Sequence, residues 1–170
     1  TVSGASGRAV FGGGYDSPVY YSDLEYFNIS SEGNAVSFGD LTSGGGGRHG
    51  GSMSSSTRGV FAGGYGTTSP VGHNVIEYIT IASSGNAIDF GETGDKGYNN
   101  DGCSSSTRGV YNRGYVAPTY SNVLEYIEIA TLGDAQDFGD LVAGGGWNAA
   151  TSSPTRGIFG GFYPRNDGVI

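Results

Sequence analysis

Thr57-Arg58-Gly59-Val60-Phe61-Ala62-Gly63-Gly64-Tyr65 decides the fold, because the chain carries four versions of it. Its relatives are Gly7-Arg8-Ala9-Val10-Phe11-Gly12-Gly13-Gly14-Tyr15, Thr107-Arg108-Gly109-Val110-Tyr111-Asn112-Arg113-Gly114-Tyr115 and Thr155-Arg156-Gly157-Ile158-Phe159-Gly160-Gly161-Phe162-Tyr163. The arginines stand at 8, 58, 108 and 156, so the spacings are 50, 50 and 48 residues. A period of this size marks a repeat architecture, in which each unit buries its apolar face against its neighbours.

Each unit continues in the same order. A variable loop leads to a second strand, Asp23-Leu24-Glu25-Tyr26-Phe27-Asn28-Ile29, repeated as 74–81 and 122–129. Gly33-Asn34, Gly85-Asn86 and Gly133-Asp134 follow, residue types that tolerate the positive φ of tight hairpin turns. A third strand ends in Phe38-Gly39-Asp40, Phe90-Gly91-Glu92 or Phe138-Gly139-Asp140. Glycine-rich links and serine-rich runs such as Ser104-Ser105-Ser106 then lead into the next arginine strand. Modules of about 4–53, 54–103 and 104–151, with a partial one over 152–170, make a single repeat domain. No window sustains a 3.6-residue period, and glycine interrupts every stretch long enough for a helix.

Glycine supplies 34 of the 170 residues, far above the usual ~7%. The β-branched and aromatic runs return on schedule, which packed strands joined by glycine turns explain better than a linker does. A net charge of −8 and the lack of a basic stripe argue against nucleic-acid binding. No apolar run approaches the ~20 residues of a spanning helix, so no membrane insertion is expected. Cys103 stands alone and forms no intrachain disulfide. Opening on Thr1 without a visible signal peptide suggests a processed or truncated piece of a longer protein.

Strands ending in a Gly-Gly doublet, a second strand with Tyr78 after Glu77, and an aromatic anchor at Phe90 resemble a kelch repeat. The resemblance covers nearly the whole chain, about three and a half units, and implies all-β blades of a β-propeller. Phenylalanine stands where kelch blades carry tryptophan, and the third doublet is broken to Asn112-Arg113-Gly114. Propellers close with 4–8 blades, so such a ring needs further blades from another copy or a longer chain. A threefold β-trefoil or β-prism is the alternative, with the Arg156 strand closing against the N-terminus. The wording of the repeat also resembles repeat arrays of marine phage virion and tail-fibre proteins, which implies a virion or extracellular setting and a role in adhesion.

Two sets of candidate residues emerge. On an alternating strand Glu77 shares a face with Val75, Ile79 and Ile81, and a charge there needs a partner. Pairing Arg8 with Glu25, Arg58 with Glu77 and Arg108 with Glu125 would make structural pins, leaving Arg156 without a glutamate. The loops hold Tyr20, Tyr21, His49, His73, Tyr98, Asn99, Trp147 and Asn148, where aromatics beside amides suit stacking on sugar rings. Two isolated histidines are too few for a zinc site, and the 95–102 loop lacks calcium-loop spacing, so no metal or cofactor is expected. The glycine runs precede no helix and no Gly-Lys-Ser/Thr, which excludes a phosphate loop.

The reading is a non-enzymatic binding or structural module facing a glycan or another structural protein, assembled as a homo-oligomer or within a longer repeat chain. A purely architectural spacer and a glycan-active enzyme are the alternatives. The enzyme lacks a close carboxylate pair outside the repeat, or a Tyr/Cys/His copper cluster.

Overall fold

The computed structural model describes residues 1–3, 7–42, 50–66 and 72–164. The described residues form strands and turns, without a helix. Three four-stranded antiparallel sheets follow one another. The first holds β1 (Val2–Ser3), β2 (Arg8–Asp16), β3 (Val19–Asn28) and β4 (Val36–Asp40). The second holds β5 (Gly51–Ser54), β6 (Arg58–Ala62), β7 (Val75–Thr80) and β8 (Ile88–Glu92). In the third, β9 (Gly102–Ser104) and β10 (Arg108–Asn112) are separated from β13 (Val123–Glu128) and β14 (Gln136–Asp140) by a small hairpin, β11 (Tyr115–Val116) and β12 (Thr119–Tyr120). Two further strands, β15 (Ala149–Ser152) and β16 (Gly157–Gly160), pair with each other.

The serine runs before each arginine strand begin inside strands of their own, since Ser54, Ser104 and Ser152 end β5, β9 and β15. Gly51–Ser54 pairs along its length with β6, so each sheet begins there and the expected module ends at 53, 103 and 151 fall inside β5, β9 and β15. β1 pairs with β2 and β16 with β15, so the Arg156 strand does not close against the N-terminal strand.

A bulge recurs at one position in every unit. Leu24 faces Gly39 and Glu25 faces Ser37, leaving Phe38 as the extra residue; Phe90 and Phe138 are skipped in the same way. A bulge re-aims side chains, and here it turns an aromatic into the space between sheets. Phe38 packs with Val2, Val10, Leu24 and Leu41 of its own sheet against Ile79, Ile81 and Ala87 of the second. Phe90, with Met53, Val60 and Ile76, meets Tyr111, Ile127 and Ile129 of the third. The sheets therefore stack face to face, and the same positions supply both sides of each joint.

Polar contacts lock each joint, although the expected arginine–glutamate pairs do not form. Register sets Arg58 opposite Thr80 and Glu77 opposite Phe61, three positions or about 10 Å along the strand. Instead the arginines reach forward to the next sheet. Arg8 Nη1 donates to the carbonyls of Ile81 (3.2 Å) and Ala82 (2.8 Å), and Arg58 Nη1 to that of Ile129 (2.8 Å). Each guanidinium also lies over its own sheet's tyrosine, Arg8 at 4.4 Å from Tyr26 and Arg58 at 4.3 Å from Tyr78.

The glutamates reach back. Glu77 Oε2 accepts from the Thr42 amide and hydroxyl, and Glu125 Oε1 from the Gly94 amide at 3.0 Å. Glu125 additionally binds Arg113 (2.7 Å) and the Tyr111 hydroxyl (2.7 Å). Burial, then the Glu125 charge and this hydrogen bond, push the Tyr111 phenol far above its ordinary range. Burial alone would lower the Arg113 pKa, but hydrogen bonding to Glu125 and its charge outweigh that and raise it.

The edges join as well. Gly85 and Ala87 amides donate to the Phe38 and Asp40 carbonyls, and Gly133 and Ala135 repeat this with Phe90 and Glu92. Backbone approaches so closely there that a side chain at Gly39 or Gly91 would collide with the carbonyl of Gly85 or Gly133. At the other edge Ser104 Oγ donates to the Ser54 carbonyl (2.8 Å) and accepts its amide (3.0 Å). Ser152 Oγ does the same to Ser104, at 2.8 and 3.3 Å. Cys103 is a buried free thiol whose pKa is raised, by burial first and then by Asp101.

Candidate functional site: a tyrosine row across the repeats

Every copy of the opening motif ends in tyrosine, and the fold aligns those four residues. Tyr15 lies next to the end of β2, Tyr65 follows β6, Tyr115 opens β11 and Tyr163 bridges to Gly146. Between them stand Tyr20, Tyr98 and Tyr120. Tyr15 and Tyr20 are cross-strand partners in the long β2–β3 hairpin, and Tyr115 and Tyr120 occupy the equivalent place in β11–β12. Tyr98 lies in the link before β9 and exchanges backbone hydrogen bonds with Tyr115.

The rings run in chain order without a gap. Centroid separations are 4.6 Å for Tyr15–Tyr20, 5.8 Å for Tyr20–Tyr65 and 5.0 Å for Tyr65–Tyr98. They continue at 5.2 Å for Tyr98–Tyr115, 4.9 Å for Tyr115–Tyr120 and 5.9 Å for Tyr120–Tyr163. Most contacts are tilted or edge-to-face, the arrangement that the ring quadrupoles favour. None of the seven rings is fully buried, and Tyr15 and Tyr163 are exposed.

Beside the row lie amides that the sequence had singled out. Asn99 and Trp147 occupy equivalent positions of successive units, both with left-handed backbone, φ 59° and 55°. The Trp147 amide donates to the Asn99 carbonyl at 2.8 Å, which ties the two links together, and the Trp147 residue is half exposed. Left-handed backbone is uncommon for a bulky residue and costs on the order of 1–3 kcal/mol, and such residues cluster at functional sites. Asn99 and Asn100 are buried, yet the side-chain oxygen of each has no hydrogen-bond partner, and neither polar atom of the Asn148 side chain has one. A buried amide oxygen without a donor costs about 1–3 kcal/mol.

Of the residues expected to bind, Tyr20 and Tyr98 lie in the row and Asn99, Trp147 and Asn148 in its flanking links. His73 borders it, its amide donating to the Gly64 carbonyl at 3.0 Å. Tyr21 follows Tyr20 along β3 and so faces the opposite side. His49 lies outside the described residues. Tyr15, Tyr65, Tyr115 and Tyr163 were missed as site residues, although a motif whose four copies all end in tyrosine was the signal available.

No protein-family model matches the chain, and no curated protein matches it. Among the described residues no group of three or more His, Cys, Asp or Glu could hold a metal ion, and no helix is long and apolar enough to cross a membrane.

Proposed function

We propose that the protein is a non-enzymatic binding module of kelch-like, propeller-type blades that takes up an extended glycan along its tyrosine row, in a virion or cell-surface adhesion role. The row itself carries this reading. Seven rings in unbroken contact offer stacking faces to successive sugars, and the half-exposed Trp147 flanks them. The blade assignment is supported by the way the first strands of successive sheets lie side by side through Ser54, Ser104 and Ser152, as blades sharing an axis would. Such a module works by presentation, so its site is spread across units instead of gathered in one pocket.

A glycan array followed by titration tests it. Tyr98→Ala and Trp147→Ala should each weaken binding about tenfold, the scale of one lost aromatic contact, while thermal stability holds. A blank array, or binding that ignores both changes, would reject the glycan and favour a purely architectural stack.

A further inference from the structure

The two joints between complete sheets show what the third sheet lacks. Phe38 and Phe90 are each 3% exposed, because Ile79, Ile81 and Ala87, or Ile127 and Ile129, of the next unit cover them, whereas Phe138 at the same position is 50% exposed. β15 and β16 take the places of the first two strands of a following sheet, and the outer edge of β16 pairs with no strand among the described residues. What remains is a groove of about 550 Å³ lined by Val110, Leu124, Phe138, Leu141 and Phe159, with Arg108 at its rim. The first four of these correspond to residues that elsewhere hold Ile79-x-Ile81 or Ile127-x-Ile129.

The polar half of the joint is open too. Arg108 still lies over its tyrosine, 4.5 Å from Tyr126, but its guanidinium turns onto Glu128 of its own sheet at 2.6 Å, where Arg8 and Arg58 bind the next sheet's carbonyls. Gly139 keeps the positive φ of Gly39 and Gly91 (137°), yet a side chain there would meet nothing within 4 Å. Val142, the counterpart of Thr42 and Gly94, is fully exposed.

We infer that this groove is a docking site for a β-hairpin of the chain's own repeat type, added beside β16 as the missing third and fourth strands. The occupant is specified by the two joints already filled. It carries Glu-Tyr-Ile-x-Ile on one strand and Gly-Asn/Asp-Ala at the turn. Its isoleucines cover Phe138, its glutamate takes the Val142 amide, its turn pairs with the β14 edge, and its backbone carbonyls draw Arg108 away from Glu128. This is strand addition with side-chain pockets setting specificity. It does not rest on the glycan reading.

The probe is a synthetic peptide spanning Asn74 to Thr93, titrated into the whole protein. One-to-one saturable binding is expected, with a rise in melting temperature of about 5–10 °C at a hundredfold excess over the dissociation constant. Phe138→Asp in the protein, or Ile79→Asp with Ile81→Asp in the peptide, should weaken binding at least tenfold. Because the peptide alone can fail to form a hairpin, the same residues are also fused after Ile170 through a glycine-serine linker, and a higher midpoint that Phe138→Asp abolishes supports the inference equally. No binding together with an unchanged midpoint in the fused protein would overturn it, as would binding that survives Phe138→Asp or self-association that the peptide does not compete away.

Discussion

Replacing one phenylalanine by alanine at two equivalent positions separates the stacking account from a generic core. Phe90→Ala removes a ring that is 3% exposed and enclosed by the second and third sheets; Phe138→Ala removes the same ring from a site 50% exposed. For Phe90 the lost transfer energy and the cavity left between sheets together cost about 3–5 kcal/mol. For Phe138 half the area was never withdrawn from water and no closed cavity can form, so the cost is about 1 kcal/mol. At this chain length 1 kcal/mol moves the midpoint by ~2–4 °C, so the variants should differ by on the order of 10 °C. Urea and thermal unfolding followed by tyrosine fluorescence, at a concentration where the protein sediments as a monomer, give both numbers. Equal losses at the two positions would refute the claim that the third sheet's face lacks the cover the first two possess.

Glutamate should follow the same asymmetry. Glu125→Gln leaves Arg113 and the Gly94 amide without their carboxylate and should cost about 2–3 kcal/mol, discounted because Arg113 keeps partial exposure, whereas exposed Glu25→Gln should stay within about 0.5 kcal/mol in the same denaturation assay. The Tyr111 phenol sets an alkaline limit. Unfolded, it titrates near ~10; folded, its pKa is held above that value, so above pH ~10 the unfolded chain releases a proton that the folded one keeps, and stability falls as pH rises. Stability measured from pH 8 to 11 should decline less steeply in Tyr111→Phe than in the parent, and parallel curves would contradict the shift.

Much of this architecture is legible in the repeat. Period, strand type and hairpin turns follow from Val60-Phe61, Glu77-Tyr78 and Gly85-Asn86, because alternation and turn chemistry are local properties. The serine strands escape notice because Gly51-Ser52 and Ser104 have low strand propensity and hold their place through neighbouring sheets, through Met53 in the core and Ser104 Oγ on the Ser54 backbone. Burial of Glu77 was readable from its apolar neighbours, but its partner was not, since a three-position offset in register is invisible until the strands are paired. The tyrosine row is a product of topology. Tyr20 and Tyr65 lie far apart in the chain, and only stacking of the sheets brings their rings together.

The serine-to-serine, arginine-to-carbonyl and turn-to-edge contacts have the same grammar at successive joints, and each is made by one unit facing the next. Each joint uses contacts that any following unit of the same type can supply. A whole unit can be duplicated or deleted between Ser54 and Ser104 without inventing a new contact, while the stretches between the arginine strand and the glutamate strand diversify independently. Copying units can therefore lengthen the aromatic face, and editing loops can change what flanks it, as two nearly separate operations.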